Sequence, residues 1–266
     1  MARPTPDEAA LLRTICANPA DDLPRLVYAD WLEENGRSER AEFIRLQIGL
    51  SEYWPLSTHK RRADRIEELL KTHRKTWDRE LPNWVVDRSC CGCGCCRMNY
   101  SRGFIEELTV SASPFLQFGP QLLGRVPLTS IRLYEAEKLL HKLAACPWLG
   151  HVPTLQLRYS CFQNDRFAAL ASSPYLQTLE NLDLQCSDIN DIGARALANS
   201  RFLRSLKRLD LRYNNISIGA VKMMAHSPNL QNLEQLDLLG NRQLRGHEYR
   251  IEDWFGKRVV IHDGVE

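Results

Sequence analysis

Leu179-Glu180-Asn181-Leu182-Asp183-Leu184-Gln185-Cys186-Ser187 returns as Leu206-Lys207-Arg208-Leu209-Asp210-Leu211-Arg212-Tyr213-Asn214. It returns again as Leu233-Glu234-Gln235-Leu236-Asp237-Leu238-Leu239-Gly240-Asn241. The copies lie 27 residues apart and share the pattern Leu-x-x-Leu-x-Leu-x-x-(Asn/Ser). Self-similarity at a fixed step of this size marks a chain that stacks one small unit on the next, each burying its apolar face only against its neighbours. The leucines then point into a shared core. Asn214 and Asn241 stand where the strand ends, and an amide there can bond backbone groups that lose their ladder partners at the turn. Ser160 and Ser187 do this less completely.

Weaker copies precede the clear ones. Val152-Leu155-Leu157-Ser160 lies one step before Leu179, and Leu128-Ile131-Leu133 and Ile105-Leu108-Val110 follow at shortened steps toward the N-terminus. Between the strands a second motif recurs: Leu143 to Leu149, Leu170 to Leu176, Leu197 to Leu203 and Met224 to Leu230 each read as a helix end, a stop and an inward leucine. After Asn241 the step ends. Tyr249, Ile251, Trp254 and Phe255 suit a last short helix ended by Gly256, and Arg258 to His262 a final strand, together forming a cap over about 244–266.

The repeats resemble the longer, helix-bearing leucine-rich repeats of the ribonuclease-inhibitor-like kind. The resemblance implies an α/β fold: a solenoid of about six strand–helix repeats over 102–266. Strands sit closer together than helices, so a parallel sheet should line the concave face.

The N-terminal third, 1–86, reads as short helices. Thr5-Pro6-Asp7-Glu8 has the form of a capping box with proline in the first turn, and Pro19 stops that helix. Asp22, Ser38 and about Thr58 open three more, with Gly36 placed for a left-handed helix end. Asp30, Glu33, Glu34 and Glu42 are expected on solvated faces, paired within their helices to arginines. The run Pro24-Arg25-Leu26-Val27-Tyr28-Ala29-Asp30-Trp31-Leu32-Glu33-Glu34-Asn35-Gly36, with Arg40-Ala41-Glu42-Phe43-Ile44-Arg45-Leu46-Gln47 after it, resembles the bacterial repeat-companion domain. That likeness covers about residues 5–50. It implies a bacterial source and a helical module ahead of leucine-rich repeats, and it brings no catalytic residues.

Residues 87–101 form a cysteine-rich junction. Cys90, Cys91, Cys93, Cys95 and Cys96 crowd around Gly92 and Gly94, and both Cys90/Cys93 and Cys93/Cys96 have Cys-x-x-Cys spacing. Thiolates are soft ligands, so a Zn or Cu(I) site is one reading. A redox role is another, and an exposed inserted loop without a cofactor is a third. Two well-separated Cys-x-x-Cys pairs and a nearby histidine, the marks of an ordinary zinc site, are missing.

The strand pattern also orders the outward side chains. Four residues after the first apolar residue of each copy stand Thr109, Arg132, Gln156, Asp183, Asp210 and Asp237. Six after stand Ser111, Tyr134, Arg158, Gln185, Arg212 and Leu239, and seven after stand Ala112, Glu135, Tyr159, Cys186, Tyr213 and Gly240. The result is an aspartate row beside an arginine and tyrosine row. Tyr and Arg are enriched at binding hot spots, so Arg132, Tyr134, Arg158, Tyr159, Asp183, Asp210, Arg212, Tyr213 and Asp237 form the expected contact face for a protein or peptide. The aspartates alternatively serve the scaffold.

Composition narrows the classes. A chain of 266 residues with 44% hydrophobic and 26% charged residues is that of a globular protein, and its net charge of +2 supplies no global field for nucleic acid or anionic membrane. The basic run His59 to Arg65 has no interleaved aromatics and meets Glu67 and Glu68 at once. No stretch approaches the ~20 apolar residues of a membrane span, and the N-terminus lacks a secretory h-region. The cysteine usage then suits a reduced, cytoplasmic setting. No nucleophile–base constellation or phosphate loop is present. The expectation is a monomeric, non-enzymatic binding protein without a resident cofactor; a metal or redox protein acting through Cys90–Cys96 is the alternative.

Overall fold

The computed structural model describes residues 4–49, 56–79, 81, 85 and 98–260. The chain divides into two compact units, Met1–Leu108 with Phe118–Thr129, and Thr109–Gln117 with Ser130–Glu266. The cysteine run at 90–96 lies outside the described residues, and among those that are described no group of His, Cys, Asp and Glu is placed to hold a metal ion. No described helix is long and apolar enough to cross a membrane.

The first unit opens with four helices: α1 (Pro6–Ala17), α2 (Leu23–Glu34), α3 (Ser38–Gly49) and α4 (Leu56–Asp78). Thr5 caps α1, its hydroxyl accepting from the Glu8 N–H at 3.3 Å. The reciprocal half of the expected capping box is absent, because the Glu8 carboxylate accepts instead from the Tyr28 hydroxyl and from Arg37. Asp22 does not cap α2 through its side chain. Asp21 takes that role, accepting from Leu23 N–H at 3.0 Å. Gly36 adopts φ 72°, the left-handed backbone that ends α2 and lets α3 begin two residues on.

Ile15, Tyr28, Ala29, Leu32, Ala41 and Ile44 close one core among α1–α3, and Phe43, Ile66, Leu69 and Trp77 close a second against α4. Asp30, Glu33 and Glu42 do pair with arginines, but between helices: Arg45 with Asp30 and Glu33 at 2.6 and 2.7 Å, and Arg65 with Glu42 at 2.8 Å. A side chain long enough to span two helices has more partners within reach than helical spacing alone suggests.

A hairpin completes the unit. β1 (Met98–Ser101) and β2 (Phe104–Ser111) run antiparallel, Arg102 and Gly103 turning between them at positive φ. Ile105-Leu108-Val110, expected as the first strand of the stack, lies in β2: Ile105 and Leu108 pair antiparallel with Tyr100 and Met98 of β1, and Val110 falls beyond that pairing, in the second unit. Its alternating apolar side chains fit either pairing, since a strand's burial pattern does not encode the direction of its neighbour.

The second unit is built on one step repeated. β3 (Ser130–Tyr134), β4 (Thr154–Gln156), β5 (Asn181–Asp183), β6 (Arg208–Asp210), β7 (Gln235–Asp237) and β8 (Val259–Val260) pair in chain order, every pair parallel. The register aligns equivalent leucines: Leu155 with Leu182, Leu182 with Leu209, Leu209 with Leu236. After α5 (Ala112–Phe118), the helices α6 (Leu140–Ala144), α7 (Asn164–Ala171), α8 (Asp191–Asn199), α9 (Ile218–Ala225) and α10 (Glu248–Phe255) follow the successive strands. From α6 onward each packs on the next. Leu179, Leu182, Leu184, Leu206, Leu209, Leu211, Leu233, Leu236 and Leu238 are all buried, as their spacing requires.

Two polar ladders run along this apolar spine. At the strand ends, the Asn214 amide donates to the carbonyls of Leu184 and Leu211 at 2.9 and 3.0 Å and accepts from the N–H groups of Ser187 and Ile189. Asn241 repeats the pattern one step later, donating to Leu211 and Leu238 and accepting from Ile216 N–H. Ser187 reaches Leu157 O at 2.7 Å, whereas Ser160 reaches only Arg158 O at 3.4 Å. At the helix ends, the hydroxyls of Ser173, Ser200 and Ser227 donate to the carbonyls of Ala144, Ala171 and Ala198. These serines stop their helices and also tie each helix end to the previous one. Cys146 holds the same position one step earlier, buried, its thiol pushed up to about 11 by desolvation.

The C-terminal end follows its sequence reading in part, Ile261 and His262 of the expected final strand lying outside the described residues. α10 ends at Gly256 with φ 62°, and β8 pairs with β7. Ile251 and Phe255 are buried, but Tyr249 is exposed on the solvent side of α10.

Candidate functional site

The outward positions of β3–β7 and the residues just after them form one polar and aromatic surface within the second unit. Its aspartates have a double role. Asp183, Asp210 and Asp237 each accept from the backbone N–H two residues on, at Gln185, Arg212 and Leu239, with distances of 3.0–3.1 Å. That bond fixes the chain as it leaves the strand, so the row is part of the scaffold.

The remaining carboxylate oxygens hold the arginines. Arg158 pairs with Asp183 across neighbouring repeats. Arg212 chelates Asp210 through Nε and Nη2, at 3.0 and 2.6 Å to Oδ2, and its Nε lies 3.4 Å from Asp237. Arg132 holds Gln156 Oε1 at 2.9 and 2.7 Å, and Gln156 in turn donates to Ser130 Oγ. The arginines therefore lie as fixed planar groups, each about a quarter to a third exposed for Arg158 and Arg212.

Burial pushes the Asp183 carboxyl above the usual carboxylate range, with the neighbouring Asp210 charge adding to it against the pull of the Gln185 N–H and Arg158. Asp237 is raised for the same leading reason. The hydrogen bonds from Arg212 to Asp210 hold the Arg212 guanidinium firmly charged. Charge in this row is held by mutual pairing.

The tyrosines differ. Tyr159 is 70% exposed and Tyr213 50% exposed. Both take left-handed backbone, φ 57° and 55°, as do Glu135, Cys186 and Gly240 at the same position of their repeats. The N–H groups of Tyr159 and Tyr213 donate to the carbonyls of Gln185 and Leu239 in the next repeat at 2.9 and 2.7 Å, continuing the ladder past the strand and imposing that conformation. For a bulky residue the left-handed region costs on the order of 1–2 kcal/mol. Gly240 escapes the cost and also makes room: a Cβ there would fall 2.3 Å from Tyr213 Cδ1, so the Tyr213 ring lies over its backbone.

Of the sequence-derived site residues, Arg158, Asp183, Asp210, Arg212 and Asp237 are thus joined in ion pairs and Tyr159 and Tyr213 project beside them. Arg132 joins Gln156, and Tyr134 is half-buried at the end of β3. Gln156 as an anchor was not singled out from sequence, nor was the left-handed turn. The one trace of the turn in the sequence is Gly240, standing in register with the two tyrosines.

A family model described as Leucine Rich repeat matches residues 175–198 and 202–225. Each match covers a strand, its turn and the helix that follows, so the central part of the second unit carries leucine-rich repeats. Such repeats are in general protein-interaction modules without enzymatic activity. No curated protein matches the chain.

Proposed function

We propose that this protein is a non-enzymatic interaction module in which the repeats of the second unit form a solenoid, the strand face being its concave surface and binding site for a protein or peptide. The single observation that carries the reading is the pair Tyr159 and Tyr213. Both are large aromatic side chains left at least half exposed, in a backbone conformation that ordinarily disfavours them. That backbone is set by the ladder of the repeats, so what singles the two out is their exposed aromatic area, the kind that anchors interfaces. Tyrosine buries much area at little entropic cost, and the ion-paired arginines beside it are held in place before a partner arrives. The helical first unit, the bacterial repeat-companion likeness and a cytoplasmic setting belong to the same proposal. It assigns no cofactor.

The test is capture of partners from the native host with the full chain and with Tyr159→Ala/Tyr213→Ala as baits. Both side chains are exposed, so the variant should fold with stability changed by less than about 1 kcal/mol, checked by thermal melting. Loss of two hot-spot aromatics should weaken capture at least tenfold. Undiminished capture by the folded variant would move the binding surface off the strand face.

A further inference from the structure

Arg40, on α3, is 7% exposed, and its Nη1 has no hydrogen-bond partner. Among the described residues its guanidinium has neither a carboxylate nor a carbonyl within bonding distance. It is surrounded by rings instead: Trp77 at 4.7 Å, Tyr100 at 5.3 Å, Phe43 at 5.5 Å and Phe104 at 5.8 Å from guanidinium carbon to ring centroid. Ring faces attract a cation, yet a buried charge without an anion or a full set of acceptors is a costly arrangement.

The same arginine lines a cavity of about 200 Å³ that lies wholly within the first unit. Among the described residues its lining carries one carboxylate, Glu8, which is engaged by Arg37 and the Tyr28 hydroxyl. Arg37 and Arg125 also line it, and Leu12, Trp77, Phe104 and Val126 make much of the remaining wall. A chamber of aromatic and aliphatic groups with cations on its wall is a usual composition of a small-molecule site, where placed polar groups orient a partly apolar ligand. At roughly 200 Å³ against the ~300–1,000 Å³ of pockets for drug-sized ligands, the occupant must be small.

We propose that this cavity binds a small organic acid, its carboxylate neutralising Arg40 and its aromatic or aliphatic body filling the apolar chamber. The site is separate from the strand face and does not depend on it. Inorganic phosphate shares the charge, but it is strongly hydrated and leaves the apolar wall uncovered, so the walls select an acid with a hydrocarbon part.

Isothermal titration of the full chain with phenylacetate, 2-phenylethanol and inorganic phosphate at equal ionic strength tests this. Phenylacetate should bind saturably, and the neutral alcohol and phosphate at least tenfold more weakly. Arg40→Met, which keeps the side-chain length and removes the charge, should weaken phenylacetate at least tenfold. Leu12→Trp, which fills the chamber and leaves Arg40 in place, should block it as well, and keeps the test open should Arg40→Met fail to fold. No phenylacetate binding to the wild-type chain would overturn the proposal. So would equal binding by Arg40→Met or Leu12→Trp, or phosphate binding as tightly as the acid.

Discussion

Asn214→Ala should destabilise the second unit by about 3–5 kcal/mol. The Asn214 side chain ties the end of β6 to the turn before it and to its own strand. It donates to two buried carbonyls and accepts from two buried N–H groups. Each buried backbone group left without a partner costs about 1–3 kcal/mol, and the side chain, 9% exposed, gives water little access to replace it. Alanine keeps the helix and strand propensities nearby and removes only the amide, so the loss is assignable. Hydrogen exchange reads it locally. The amides of residues 184–189 and 211–216 should exchange more than 100-fold faster, given about 1.4 kcal/mol per tenfold. Protection within threefold of the wild type would mean that the leucines alone hold the stack.

Arg25→Met should cost the first unit about 3–5 kcal/mol by a different route. Arg25 is fully buried on α2 and pairs with Glu106 of β2 at 2.7 Å. It also donates to the carbonyls of Pro19 and Arg102 at 2.7 and 3.2 Å, and it lies over the Phe104 ring at 5.2 Å. One side chain thus closes the loop after α1, the α2 helix and the hairpin turn upon each other. Burial lowers its pKa, against the pull of Glu106. Removing one partner of a buried pair strands the other charge, which is the costly half of the bargain; Arg102, 3.0 Å from Glu106, relieves that only in part. Thermal melting of Arg25→Met, Glu106→Gln and the double variant separates the terms. The double variant should melt above Arg25→Met. Strict additivity of the two single losses would remove the coupling claimed here.

These two residues show what a sequence reveals and what it hides. The leucine register was legible because burial in a stack depends on position within one repeat, a one-dimensional property. Leu182, Leu209 and Leu236 fall in line in the sheet as they do in the text. Asn214 was legible for the same reason, standing at a fixed offset from those leucines. Arg25 was not. On α2 it reads as one charged residue among many, and its partner Glu106 lies far along the chain, beyond the reach of any local pattern. Arg40 is hidden in the same way, because its aromatic surround is gathered from α3, α4 and both strands of the hairpin. Glu8 satisfied a local motif on paper but is drawn to Tyr28 and Arg37 by tertiary packing.

The candidate face was half legible. Periodicity put Asp183, Asp210 and Asp237 in a row and Arg158 and Arg212 beside it. It did not show that the two rows neutralise each other, nor that the aspartates cap the backbone of their own turns. Those facts shift interest to Tyr159 and Tyr213, whose left-handed backbone is set by hydrogen bonds to the next repeat and could be inferred only from Gly240 in the matching place.

The central claim is that binding occurs on the strand face, and a photo-crosslinking residue placed at defined positions tests it most directly. Benzoylphenylalanine replacing Tyr159 or Tyr213 should, on irradiation in the native host, join the chain to one and the same partner. The same group replacing Arg195, exposed on α8, should not. A partner joined from position 195 and from neither tyrosine position would contradict the account and place recognition on the helices.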